Sequence, residues 1–224
     1  MTRSPTHNRR WVWALAVAIA AITVHWYAVK PDVLGAVVGG GIVGSPLFAP
    51  LTFALGFLFL GAVPAVVAPA LYRVSLRQLG LGPGHVRRGA LLLAAALPIA
   101  IVAGLVGARS PDLASTYPIG HHVTRALGSF LPHALSYGLY YVGFEFLFRG
   151  FLLLGLADRM GATRANLLQS VLAVVAHVGK PGVEILAAFP GSLLFGWITL
   201  TTRSIWWATA IHWMVGVSLD WFLL

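Results

Sequence analysis

Residues 133–156 read HALSYGLYYVGFEFLFRGFLLLGL. A bilayer crossing takes about 20 helical residues, and this run supplies them with Glu145 and Arg149 as its only formal charges. An apolar run of this length argues for a transmembrane helix. A charge at the bilayer centre costs at least ~2.5–3.5 kcal/mol, so a charged residue kept there is a functional candidate by default. Glu145 and Arg149 are four residues apart with the acid on the N-terminal side, the better order for an ion pair along one helix face. Such a pair also makes two charges tolerable in lipid.

The rest of the chain extends this pattern. It has 224 residues, of which 58% are hydrophobic and 9% charged, with a mean hydropathy of +0.85. Soluble domains carry roughly 25% charged residues. A soluble enzyme, a disordered chain and a secreted disulfide scaffold are therefore excluded. The absence of Cys removes thiolate chemistry, Fe–S clusters and zinc ribbons. The expected fold is all-α: one integral membrane domain over residues 1–224, built as a polytopic helix bundle of about seven spans. The spans are Trp11–Ala28, Leu51–Leu71, Gly89–Gly107, His133–Leu156, Ala165–Val178, Val183–Thr201 and Ser204–Leu224. Val33–Gly44 reads as an extra half-helix or re-entrant segment, because Ser45-Pro46 and Pro50 break the long uncharged run that contains it. An interfacial piece around Tyr117–Leu131 precedes the fourth span.

The net charge of +9 would suggest nucleic acid in a soluble protein. Here the basic residues sit in short loops. Arg3, Arg9 and Arg10, then Arg73, Arg77, Arg87 and Arg88, then Arg159 and Arg164, then Arg203 fall in alternate connections, and the intervening loops are poorer in Lys and Arg. That alternation predicts a cytoplasmic N-terminus and an outer C-terminus, with no nucleic-acid partner. The first span reads as a retained anchor, because Trp26-Tyr27-Ala28 lacks a small-x-small cleavage pattern. The Gly35–Gly44 run has small-xxx-small spacing suited to helix packing. It lacks the GK[ST] ending of a phosphate loop. His121 and His122 are expected to be solvated. His25 and His133 are expected to reach the interface from span ends. Lys180 and Glu184 are expected to pair across one turn, with substrate gating as the alternative role.

The ionisable residues inside spans are few: Glu145, Arg149, His177, His212 and Asp220. At ~1.5 Å per helical residue, Glu145 lies roughly 18 Å, His177 roughly 20 Å and His212 roughly 13 Å from their nearest basic loops. Three groups from three helices thus come out near one depth. A glutamate among apolar neighbours suits general-base work near neutral pH. One imidazole can position the same water or bind a metal, and another can stabilise an oxyanion. Together they suit hydrolysis of an amide. The fifth span is short and ends in Gly179-Lys180-Pro181-Gly182, a thin region that would admit water. No H-E-x-x-H, G-x-S-G or G-x-G-D motif is present, so zincin-type, rhomboid-like and di-aspartyl sites lack their residues.

Three stretches then resemble the CPBP (Abi) family of intramembrane proteases, which includes the CAAX prenyl proteases. YYVGFEFLFRGFLLLGL resembles the family's E-E-x-x-x-R, VLAVVAHVGKP its F-x-x-x-H, and IWWATAIHWMVG its H-x-x-x-[ND]. The resemblance covers about residues 76–220. It implies an intramembrane endopeptidase of metallo- or glutamate type. Glu145 would be the base, Arg149 its orienting partner, His177 a water or metal ligand, and His212 an oxyanion or metal contact. It allows one divalent metal such as zinc, held by His177 and His212 if a metal is used. It also implies the lipid bilayer of a bacterial cell membrane and a membrane-associated peptide or protein substrate. The chain departs from the pattern at Phe144 (first Glu of the pair), Ala173 (the aromatic before the first His) and Gly216 (the final Asn). Phe144 and Glu145 point about 100° apart around a helix. Phe144 and Gly216 favour one other reading, an inactive relative acting as a membrane-protein binding or immunity factor; a second is a small proton-coupled transporter, with Glu145, Arg149 and the histidines as a proton relay.

Overall fold

The computed structural model describes residues 10–120 and 122–224; Arg3, Arg9 and His121 lie outside the described residues. The helices, in chain order, are α1 (Arg10–Ala28), α2 (Pro31–Val38), α3 (Phe48–Tyr72), α4 (Val86–Gly107), α5 (Pro111–Thr116), α6 (Leu127–Met160), α7 (Ala162–Ala176), α8 (Gly182–Thr202) and α9 (Trp206–Leu223). Among the described residues five helical stretches are long and apolar enough to cross a membrane: α1, α3, α4 with the turn before it, α6 and α8. The 15-residue α7 and the 18-residue α9 are further apolar helices of the same bundle. The polytopic all-helical reading is borne out.

Local chemistry sets the boundaries. Pro31 opens α2 at a position whose N–H has no helical partner. Gly39, at φ +117, ends it in a conformation that other residues rarely adopt. A single 3-10 turn, Gly40–Ile42, follows, so the Val33–Gly44 region is a short half-helix with a turned end. Pro50 does not break the chain as expected. It falls in the first turn of α3, where proline's missing N–H costs nothing. In the Tyr117–Leu131 piece the described residues up to Ala126 are non-helical, and Leu127 begins α6.

Helix α6 is the axis of the molecule. In its most apolar window 78% of residues are buried, against 17–33% in the other four long spans. Phe146, Leu147, Phe148, Phe151, Leu152 and Leu153 are all buried along it. Lipid is as apolar as leucine, so such helices associate through close packing and polar contacts. Gly143 makes the closest approach possible. A Cβ there would lie 2.8 Å from the Phe57 Cα, and one on Gly61 would lie 2.8 Å from the Gly143 Cα. The α3 backbone therefore meets α6 one residue before Phe144. Directly after Glu145 the helix widens into a π-helical stretch, Phe146–Leu154. Such stretches are rare and concentrate at functional sites.

Candidate active site

Glu145 is fully buried and its carboxylate is engaged on both sides. His212, on α9, donates Nδ1–H to Oε1 at 2.7 Å. Arg149 Nε lies 3.1 Å from Oε2, one turn along α6. The guanidinium is itself 1% exposed and sits 5.5 Å from the Phe195 ring. Its Nη2 donates to Ser192 Oγ at 3.1 Å. Ser192 Oγ donates to Gln169 Oε1 at 3.1 Å, and Gln169 Nε2 donates to Asn166 Oδ1 at 2.7 Å. A polar chain thus runs through α9, α6, α8 and α7. The carboxylate fixes the His212 tautomer: with Nδ1–H donated, Nε2 is the free nitrogen.

His177 caps the C-terminus of α7. Its Nδ1–H donates to the Ala173 carbonyl at 2.7 Å, which leaves Nε2 as a proton acceptor in the neutral ring. Nε2 lies 3.8 Å from Glu184 Oε1, on the first turn of α8. Glu184 Oε2 accepts the Tyr117 hydroxyl at 2.8 Å, and Lys180 Nζ donates to the same hydroxyl oxygen at 2.7 Å. Lys180 and Glu184 therefore meet through Tyr117, in place of the direct pair expected across one turn. Burial, and the Glu184 carboxylate next to it, hold the Tyr117 phenol well above its ordinary pKa.

A cavity of about 460 Å³ lies among α4, α6, α7, α8 and α9, with Phe144, Arg149, His177, Glu184, Tyr141 and His212 in its wall. Glu145 is not in that wall and supports it from behind. Phe144 faces the cavity instead. Its ring lies edge-on to both histidines, 5.5 Å from His177 and 5.5 Å from His212. The helix is therefore not rotated to bring residue 145 onto the face of residue 144. Tyr141 lies 4.6 Å from the His212 ring, and a Cβ on Gly216 would collide with its hydroxyl. The room that a larger residue 216 would need is filled by the Tyr141 phenol.

Residues 128–218 match the family model of the type II CAAX prenyl endopeptidase Rce1-like family. The resemblance read from the sequence is borne out over that stretch. The Rce1-like segment includes Glu145, Arg149, His177, Glu184 and His212 and leaves Tyr117 and Asp220 outside. No curated protein and no solved structure matches the chain. The segment brings Glu145, Arg149 and His212 into direct contact, and places His177 across the Phe144 ring from them. For a metal the fit is poor: no three His, Asp or Glu side chains among the described residues group as ligands.

One other histidine departs from expectation. His133 is not interfacial. It is 5% exposed and donates Nε2–H to Asp220 Oδ2 at 2.7 Å, a pairing that takes Asp220 away from the cavity. His122 is held by the Gly44 carbonyl at 2.6 Å. Ser192, Gln169 and Tyr141 are the site residues that sequence reading passed over, and Tyr117 and Glu184 are ones it placed without assigning them to the site. Their one visible signal is a polar group within or beside an apolar run.

Proposed function

We propose that the protein is an intramembrane endopeptidase that hydrolyses a peptide bond of a membrane-associated substrate. The supporting observation is the 2.7 Å bond from His212 to the buried Glu145, beside a cavity that His177 also lines. Glu145 acts as a positioning residue. It orients His212 and stabilises the imidazolium when Nε2 is protonated. An Nε2–H then donates to the oxyanion that forms on the scissile carbonyl, and charge stabilisation of that kind is commonly the largest catalytic effect. The Arg149 guanidinium lies against the buried carboxylate and holds its second oxygen in place. His177 Nε2 accepts a proton of the attacking water. No step is routed through a metal. The orientation that accompanies this reading has the N-terminus cytoplasmic and the C-terminus outside.

The test uses the purified full chain in lipid nanodiscs and a fluorogenic peptide ending in a prenylated cysteine plus three residues, with an unprenylated control. Release of the C-terminal fragment by wild type is expected. His177→Ala and His212→Ala should lower kcat by ~10²–10⁴-fold, the usual range for general acid–base groups. Glu145→Gln should lower kcat and shift the pH–rate profile, which a purely structural carboxylate would not do. Folded wild-type protein that cleaves neither this peptide nor a membrane-protein library would sink the reading. The Phe144 ring between the histidines favours a second reading, an inactive relative that binds membrane proteins. That reading predicts no turnover together with partner capture unchanged by Glu145→Gln.

A further inference from the structure

The geometry points to Glu184 as the carboxylate that, with His177, activates the attacking water; this rests on the endopeptidase reading above. Glu145 cannot take that part directly, because Oε1 accepts from His212, Oε2 is buried against the Arg149 guanidinium, and the side chain is not exposed to the cavity. Phe144, on the cavity face of α6, has no proton to exchange. Glu184 does face the cavity, with 24% of its side chain exposed, opposite a His177 side chain that is 13% exposed. Its Oε2 is anchored by Tyr117, but among the described residues Oε1 accepts no hydrogen bond and is turned toward His177 Nε2 at 3.8 Å. That gap is too long for a direct bond. A water about 2.8 Å from each, an ordinary hydrogen-bond length, fits beside it. Both groups are acceptors, so the water donates one O–H to each and turns its lone pairs outward. An acid in the first turn of α8 also suits the helix dipole. That placement accounts for a charge there but not for a free oxygen aimed at an imidazole.

The step balances without a further reactant. The water oxygen bonds to the scissile carbonyl carbon, and the carbonyl π pair moves to oxygen. One water proton passes to Glu184 Oε1. When the tetrahedral intermediate collapses, the C–N bond breaks and that proton goes to the departing nitrogen. The new carboxylic acid loses its remaining proton toward His177 and then to solvent. Tyr117, a neutral donor, holds the carboxylate in register throughout.

Three variants decide the matter, assayed as above alongside thermal unfolding in detergent. Glu184→Gln should lower kcat by ~10²–10⁴-fold with little change in KM, because its amide oxygen still accepts from Tyr117 and the fold is kept. Tyr117→Phe removes the anchor and leaves the Glu184 oxygen that faces His177, so its loss should be tenfold or less. Adding Phe144→Glu to Glu184→Gln should restore at least tenfold of the lost rate by presenting a carboxylate to His177 from α6. Glu184→Gln within threefold of wild type overturns the assignment while leaving the endopeptidase reading in place. Equal losses in Glu184→Gln and Tyr117→Phe also overturn it, since they show a structural role. A folded wild type with no turnover removes both.

Discussion

Tyr141 fills the place where the chain departs from the resemblance at Gly216. Its hydroxyl occupies the room beside Gly216 and its ring touches His212. It offers an O–H donor where the family resemblance implies an amide. Tyr141→Phe should therefore cost ~10²–10³-fold in kcat, as loss of one oxyanion donor does elsewhere, with the unfolding temperature nearly unchanged. Gly216→Asn without a smaller residue at 141 should be destabilising by about 1–3 kcal/mol, the usual cost of overpacking. Thermal unfolding of that variant, and of the double variant with Tyr141→Val, checks it. Arg149→Met leaves Glu145 buried with its oxygen toward residue 149 unpaired. Breaking one side of a buried ion pair costs about 3–5 kcal/mol, so this variant should unfold well below wild type whatever its activity. At this scale the sequence carried the identity of the site better than its geometry. Glu145 and His212 could be matched in depth because each lies well inside a long apolar run. Glu184 was hidden by its neighbour: beside Lys180 it reads as a loop charge, and only the turn at Gly179–Pro181 brings it back over His177. His133 misled for a related reason, since its partner Asp220 is on another helix and no local pattern links the two.

Among the elements, α6 carries most of the argument, and its placement depends on the absence of two side chains. Gly61 and Gly143 let α3 and α6 touch through backbone. Gly143→Ala should cost about 1–3 kcal/mol by overpacking and should lower kcat as well, because the push is delivered next to Phe144. Gly128→Ala, where an added Cβ meets nothing, is the matched control and should leave both unchanged. The spans were legible because hydropathy reports burial in lipid and protein alike. Their ends were less so. Proline was read as a breaker at position 50, yet a first-turn proline is compatible with a helix. The hydropathy pattern does not mark the π-helical stretch after Glu145, which sets how α6 presents its charges.

For the whole molecule, the catalytic proposal needs contributions from parts of the chain that no single motif contains. The polar chain from His212 to Asn166 joins four helices, so the bundle and the site should lose order together. Ser192→Ala, which removes the only hydrogen bond that the Arg149 guanidinium makes among the described residues, is expected to lower stability by about 1–3 kcal/mol and to reduce turnover less than His212→Ala does. Native-state hydrogen exchange across α7 and α8, compared with wild type, reads out that coupling. The shortness of α7 has a consequence for the surrounding lipid. Fifteen residues rise about 22 Å, against a hydrocarbon thickness of about 30 Å. Read as a crossing, as the sequence suggests, α7 requires the acyl chains beside it to compress, at a cost of fractions of a kcal/mol per ångström of mismatch. Bilayers of shorter acyl chains relieve that compression, so on the endopeptidase proposal turnover should rise as the chains shorten and fall in thick, sterol-stiffened ones, making membrane thickness a setting of the proposed activity.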